Sequence, residues 1–428
     1  MIDIKQIRTN PEELAAKLAK KGFEADFTEF LAKDAQRRVL TSKNDGLRGE
    51  KKKLSGEFAK TKKDGGDVSE IEKKIKAADA EIAANEAELK ELDVFIDGVL
   101  NTLPNPPPDD VVAGGKENNE VIRIFGEKPI FDFEMRDHMQ LSELNGLIDY
   151  ERGAKISGSG FWVYRGEAAR LEWALLNYFV AEHISDGYEM LFLPHILLEK
   201  SGYTAGQFPK FAEDVFHVEG EAGAAAKSFL LPTAETALAN LHRDEILKEE
   251  DLPLKYFAYT PCYRKEAGSY RKEERGMIRG HQFNKVELFQ YAHPDKSEEA
   301  LFEVLEKAER LVRGLGLHHR VSKLAAEDCS WGLGKTYDIE VWLPSMGIYK
   351  EVSSVSNAYE YQARRGNIRF RDANKELRHA HTLNGSGLAT SRILPAILEQ
   401  FQNPDGSVNI PSALRPYMGG QERVKIKK

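Results

Sequence analysis

Between Tyr256 and Tyr291 the chain reads YFAYTPCYRKEAGSYRKEERGMIRGHQFNKVELFQY, two strand-like runs joined by an arginine-rich loop. Period-2 alternation in the two arms puts Arg264 and Glu266 on one face, and Phe283 and Glu287 on one face further along. Arg264 and Arg279 could hold phosphates by forked hydrogen bonds, Phe283 could stack on a nucleobase, and Glu287 could grip an ammonium group. Those are the parts of a site for ATP and an amino acid. A solvated, charged hairpin would explain any one of these residues, but it explains the ordered set of aromatic, acids and bases poorly.

Three further segments carry the same logic. In Leu231-Pro232-Thr233-Ala234-Glu235-Thr236 a hydroxyl and a carboxylate lie where a helix starts, which by itself is a helix cap. In the run from Tyr349 to Asn357, Glu351, Ser353 and Ser354 place oxygen atoms on a period-2 strand. Such ligands suit Mg²⁺ bridging to phosphates, and a polar edge strand gives the same pattern. From Leu383 to Arg392 a small-residue turn leads into a helix whose Ile393, Leu394, Ile397, Leu398 and Phe401 form a core stripe. Arg392 lies in its first turns, near a helix N-terminus that favours anions. One motif has to be rejected. Gly332-Leu333-Gly334-Lys335-Thr336 looks like the end of a P-loop, but Cys329 stands where the first glycine is required. No GxGxxG fingerprint stands out, so phosphate recognition falls to arginines and metal.

The elements around these segments divide the chain. Residues 27 to 62 read as a long charged helix with Leu40, Leu47 and Leu54 seven apart, followed by a turn at Asp64-Gly65-Gly66-Asp67. A capping box from Ser69 to Glu72 opens a return helix with apolar positions Ile71, Ile75, Ala78, Ile82, Leu89, Leu92, Ile96 and Val99. The pattern predicts an antiparallel two-helix coiled coil over about 27–98, reaching roughly 54 Å at 1.5 Å per residue. Lysines and arginines dominate its outgoing helix, and a basic rod can track a phosphate backbone, although a solvated coiled-coil face is the commoner use of such charges. The run Pro104-Asn105-Pro106-Pro107-Pro108 cannot continue a helix, so 104–119 reads as a linker. Beyond it, 120–428 alternates strands, several in hairpins, with amphipathic helices at 167–184 and 296–314. The fold class predicted is α+β: a coiled-coil arm within 1–103, then an antiparallel sheet flanked by helices.

Composition sets the outer limits. The 428 residues carry 61 Lys and Arg against 69 Asp and Glu, a net charge of −8, which argues against indiscriminate nucleic-acid coating while leaving room for local basic patches. Two cysteines, Cys262 and Cys329, are too few for a disulfide scaffold, and no Cys/His group has zinc spacing, so no zinc is expected. The start, MIDIKQIRTN, lacks an apolar leader core and no apolar run approaches membrane-spanning length, which points to a cytoplasmic protein with no membrane partner.

Together these segments resemble the class II aminoacyl-tRNA synthetases, and over essentially the whole chain they are similar to the seryl-tRNA synthetase family. Gly187 to Pro194 resembles motif 1, which builds the dimer interface in that family; the opening hairpin resembles motif 2, and Asn384 to Phe401 resembles motif 3. Thr233-Ala234-Glu235, the strand from His281 to Glu287, Glu351-Val352-Ser353-Ser354 and Asn384-Gly385-Ser386-Gly387 resemble its serine-specific signatures.

The resemblance implies roles. Thr233, Ala234, Glu235 and Glu287 would bind the amino end of L-serine, and Asn384 and Ser386 would read its hydroxyl. Arg264, Lys265, Glu266, Arg279, Phe283, Glu351, Val352, Ser353, Ser354 and Arg392 would form the ATP set, with Arg264, Arg279 and Arg392 catalytic and Glu351 and Ser354 holding Mg²⁺. It also implies a homodimer through the region near Pro194, tRNA(Ser) gripped by the arm, and tRNA(Sec) as a second acceptor. Only 36 residues follow Arg392, fewer than the C-terminal anticodon-binding domain of prolyl-, threonyl- or histidyl-type relatives needs. Two departures stand out: Gly160, where an arginine is common before the Phe-Trp pair, and the segment Ala325 to Gly332. Two rival readings remain: a core-like ligase that loads a carrier protein, which would lack the arm, and a non-catalytic homologue, which would have lost the arginines or metal ligands.

Overall fold

The computed structural model describes residues 1–220, 227–266 and 276–424; the central loop of the opening hairpin, 267–275, lies outside the described residues. The chain forms two compact units. One comprises Ile2–Ala16 and Glu24–Leu103; the other comprises Met1, Lys17–Phe23 and the chain from Pro104 onward.

The smaller unit is built on helices α1 (Thr28–Lys63) and α2 (Ser69–Thr102). Ala78, Ile82, Leu92, Ile96 and Leu100 of α2 are buried, and Leu40, Leu47 and Leu54 of α1 are half-buried, so the heptad reading holds along the seam. Ion pairs Arg37–Asp93 (3.0 Å), Arg48–Glu86 (2.8 Å) and Lys51–Asp79 connect rising positions on α1 to falling positions on α2, as an antiparallel pair requires, and Lys43–Glu81 (2.7 Å) adds a further cross-helix pair. A polar rung interrupts the seam where Asn85 Nδ2 donates to Asn44 Oδ1 (2.8 Å), a buried pair that penalises any slipped register. The expected capping box is absent. Ser69 is the first helical residue, not the cap, and its backbone N–H is taken by Asp67 (2.9 Å), so α2 starts from Val68 without a side-chain cap.

The larger unit is organised by one sheet. Its strands are β1 (Glu120–Phe125), β2 (Glu189–Leu191), β3 (Leu254–Tyr263), β4 (Gln282–Ala292), β5 (His319–Lys323), β6 (Lys335–Leu343), β7 (Ile348–Tyr359) and β8 (His381–Ala389). Among the described residues they lie in the order β1-β5-β6-β7-β8-β4-β3-β2, antiparallel throughout except where β2 joins β3. Helices α3 (Glu167–Ser185), α4 (Ser297–Gly314) and α5 (Thr390–Gln400) cover one face, where Leu175, Phe179, Leu301, Val304, Leu305, Leu394 and Ile397 share a core with Val286, Leu288, Val355 and Leu383 of the strands. Alternation along β4 gives the opposite face Phe283, Lys285, Glu287, Phe289 and Tyr291. Phe289 and Tyr291 close a second core with Ala234, Leu238 and Ala258; the three residues before them do not. Among the described residues, no helix is long and apolar enough to cross a membrane.

Candidate active site

Phe283, Lys285 and Glu287 enter a cleft formed of two adjoining cavities, about 380 and 250 Å³, that share Thr233, Glu235, Arg264, Glu266, Arg279 and Arg392. Pairing sets the floor. Glu287 stands opposite Ala258 on β3 and Ser386 on β8, while Asn384, two residues before Ser386, shares its face. The expected small-residue turn at Asn384–Gly387 is therefore the last part of strand β8, bulged where Leu388 adopts φ +91° before α5 begins.

Around Glu287 the cleft gathers acids and hydroxyls. Asn384 Nδ2 donates to Glu287 Oε1 (3.2 Å), and the Lys285 ammonium lies 2.5 Å from Glu287 Oε2 and donates to Thr233 Oγ1 (2.7 Å). Glu235 accepts from Gln362 Nε2 (2.7 Å), and Gln362 is oriented in turn by Thr382, whose hydroxyl donates to its Oε1 (2.7 Å). Burial, reinforced by the negative charge of Glu287, pushes the Glu235 carboxyl up to about 7. Asn384 Oδ1 and Ser386 Oγ are buried without a hydrogen-bond partner among the described residues. A buried polar atom left unpaired costs about 1–3 kcal/mol, so a ligand group that pairs with it gains that much in selectivity.

The same cavities gather three arginines, each already engaged. Arg392 Nη1 donates to the Glu351 carboxylate (3.0 Å) and backbone carbonyl (2.8 Å), Arg279 pairs with Glu266, and Arg264 Nε donates to the Pro232 carbonyl (3.2 Å). The Arg264 guanidinium sits 5.2 Å from the centre of the Phe283 ring, a cation over a flat aromatic face. Strand alternation is not what places Arg264 and Glu266, as the sequence suggested. Strand β3 ends at Tyr263, and Glu266 sits at φ +49° beyond it; both side chains reach the cleft from an irregular turn.

Period-2 alternation also misplaces the oxygen ligands, because Glu351 and Ser354 are three residues apart and a regular strand would point them to opposite faces. Ser353 pairs with Ile339 and Glu351 with Glu340, so Val352 is an extra residue, and this bulge brings Glu351 and Ser354 to the cleft together. Ser353 turns away and donates to the Ser386 carbonyl (2.6 Å). The Ser354 hydroxyl donates to Asp338 (2.6 Å), which leaves its lone pairs for a cation. Burial and the nearby Glu351 raise the Asp338 pKa, whereas Arg392 holds Glu351 below its ordinary range against the effect of burial. Hard oxygen atoms of this kind, few in number and beside arginines, fit Mg²⁺ held mainly by a ligand's phosphates. Among the described residues no group of three or more His, Cys, Asp or Glu could hold a metal.

Of the residues singled out in the sequence, Ala234, Lys265 and Ser353 do not line the cleft; Ala234 is buried in the second core. Lys285 and Gln362 were not singled out. Lys285 was accessible to the same alternation that marks Phe283 and Glu287, whereas Gln362 reaches Glu235 across 127 residues and left no local signal. The two departures are accommodated. Gly160 sits at φ +83°, and a Cβ there would lie 2.5 Å from the ring of His281, which bonds the Arg264 carbonyl (3.0 Å). The segment after Ala325 brings Ser330, Gly332 and Leu333 to the cleft wall, held from outside by Lys21, whose ammonium donates to the carbonyls of Ser330 (2.9 Å) and Leu333 (2.7 Å).

Comparison with known proteins shows the family. Residues 216–401 match the tRNA synthetase class II core domain (G, H, P, S and T), and residues 1–107 match the seryl-tRNA synthetase N-terminal domain. The chain is 56% identical to serine–tRNA ligase 2 of Clostridium acetobutylicum, covering 98% of this chain and 99% of that one, and 45% identical to serine–tRNA ligase of Geobacter sulfurreducens, covering 99% and 100%. Among solved structures, seryl-tRNA synthetase of Pyrococcus horikoshii complexed with ATP superposes over the full length of both chains with a TM-score of 0.91 and 35% identity. On these matches the chain belongs to the seryl-tRNA synthetases, the serine–tRNA ligases of class II.

Proposed function

We propose that this protein attaches L-serine to tRNA(Ser), and to tRNA(Sec), through a seryl-adenylate, releasing pyrophosphate and then AMP. One observation carries the amino-acid assignment. The unpaired buried Asn384 Oδ1 and Ser386 Oγ lie beside Glu287 in a cleft that three arginines also line. A ligand that is cationic and hydroxylated at one end and polyanionic at the other satisfies both.

In this reading Thr233, Glu235 and Glu287 receive the serine ammonium, Asn384 and Ser386 its hydroxyl, and Phe283 the adenine. The serine carboxylate attacks the α-phosphorus in line and pyrophosphate departs, with Arg264, Arg279 and Arg392 exchanging their carboxylate and carbonyl partners for phosphate oxygens. Mg²⁺, held by Glu351 and Ser354, would neutralise phosphate charge when bound. The 3′-hydroxyl of the tRNA then attacks the seryl carbonyl. Lys52, Lys53, Lys60 and Lys63 of α1 have no ion-pair partner among the described residues, which supports a phosphate-backbone role for the arm. Exposed Phe192 and Ile196, at and just beyond the motif 1 segment, support a homodimer there, and two unpaired buried cysteines suit the cytoplasm.

The test is amino-acid-dependent ATP–pyrophosphate exchange with serine, threonine, alanine and glycine. Serine should exceed alanine by roughly 10⁴-fold or more, since alanine leaves the polar pocket unpaired. Alanine matching serine would overturn the substrate, and no exchange with any amino acid would overturn the reaction.

A further inference from the structure

Among the described residues lining the cleft, Lys285 is the cation to which the reaction above gives no role. Its side chain is only 10% exposed, and it lies between Phe283 and Glu287 on one face of β4, about 7 Å from each at two residues per step. Its ammonium contacts Thr233 Oγ1 (2.7 Å) and Glu287 Oε2 (2.5 Å), two of the three groups assigned to the serine ammonium. The lysine and the substrate therefore compete for the same acceptors. A ligand that spans from a base on Phe283 to an ammonium on Glu287 has its carboxylate–phosphate junction between the two and nearer the ammonium, on the side of Glu287 that Lys285 flanks.

We propose that Lys285 is a catalytic residue of adenylate formation. The substrate's ammonium takes Thr233 and Glu287, and the displaced Lys285 turns to the serine carboxylate and α-phosphate. This inference rests on the serine-activating reading. No proton is transferred in this step: a carboxylate oxygen forms the new bond to the α-phosphorus, the bond to the β-phosphate bridging oxygen breaks, and pyrophosphate leaves with that electron pair. The lysine's share is to offset negative charge gathering between two anionic groups, in a cleft where a fixed cation acts more strongly than in water. The exchange also makes activation depend on a ligand bearing an ammonium, since only such a ligand releases the lysine.

The test compares unmodified protein with Lys285→Met in serine-dependent exchange and in equilibrium binding of serinamide, which has the ammonium and hydroxyl but no carboxylate to activate. Exchange turnover should fall about 10²-fold or more, the scale seen when one oxyanion donor is removed. Serinamide should bind as tightly or more tightly, because its competitor is gone. Turnover within about threefold of the unmodified value, or weaker serinamide binding, would make Lys285 a brace and overturn the proposal. A second measurement needs no variant: a crystal structure of the unmodified protein with a sulfamoyl analogue of seryl-adenylate. Lys285 on the sulfamoyl linker supports the proposal; Lys285 still on Thr233 Oγ1 overturns it. Lack of serine exchange by the unmodified protein counts against the proposed function instead, and the Lys285 comparison then uses whichever amino acid that protein activates.

Discussion

The helical hairpin and the cleft treat charge in opposite ways. Along α1 and α2, Arg37, Lys43, Arg48 and Lys51 each find a carboxylate on the neighbouring helix, and these pairs are largely exposed, worth roughly 0.2–1 kcal/mol apiece. The apolar seam holds the hairpin together, and the charges fix its pairing. In the cleft, Glu235, Lys285 and Glu287 are crowded together, and Asn384 and Ser386 keep unpaired atoms. Such an arrangement costs stability, and it persists because the sheet and the second core over-determine it. The contrast separates a region whose shape and surface charge matter from one whose individual atoms matter.

Removing the hairpin, residues 27–98, breaks the comparison most directly. Serine-dependent pyrophosphate exchange should stay near the unmodified rate while charging of tRNA is abolished; equal loss of both would show that the two regions do not divide the work. Next in size is Phe283→Ala. Base–aromatic stacking is worth about 1–3 kcal/mol, so KM for ATP should rise roughly 5- to 150-fold with KM for serine little changed. An unchanged KM for ATP would return Phe283 to the core.

The smallest effect concerns pH. With the Glu235 carboxyl near 7, its ionised, ammonium-binding form grows as pH rises, so KM for serine should fall by up to about tenfold between roughly pH 6 and 8 and then level off. The raised pKa has the opposite sign for stability. The folded state holds a proton that the unfolded chain has already released, so this group's contribution declines as pH climbs from the ordinary carboxyl range through about 7. A serine KM that is flat over this interval would place the ammonium elsewhere.

Most of the architecture was legible because its signals are periodic. Heptads in 27–98, alternation from Gln282 to Tyr291 and the stripe after Arg392 each mark an element over many residues. The site was legible in residue type and partly in placement. Alternation correctly joined Phe283 with Glu287, but it failed for Arg264 and Glu266, beyond the end of β3, and for Glu351 and Ser354, where a bulge shifts the phase. A one-residue irregularity has no compositional signature, because the partner strand determines where it falls.

By itself, then, the sequence determined the two helices of the hairpin, the strands and helices of the sheet unit, and the acids, arginines and aromatic that chemistry needs, since these follow from local periodicity and side-chain type. Tertiary structure alone decided that Gln362 orients Glu235, that Asp338 turns the Ser354 hydroxyl, that Lys21 holds the cleft wall and that Lys285 sits on Glu287 and Thr233. Gln362–Glu235 and Lys21–Ser330 join residues 127 and 309 apart in the chain, and Asp338–Ser354 crosses between paired strands. The Lys285 contact joins strand neighbours to a distant hydroxyl, and the sheet register and the Val352 bulge bring such groups together at distances no spacing rule encodes.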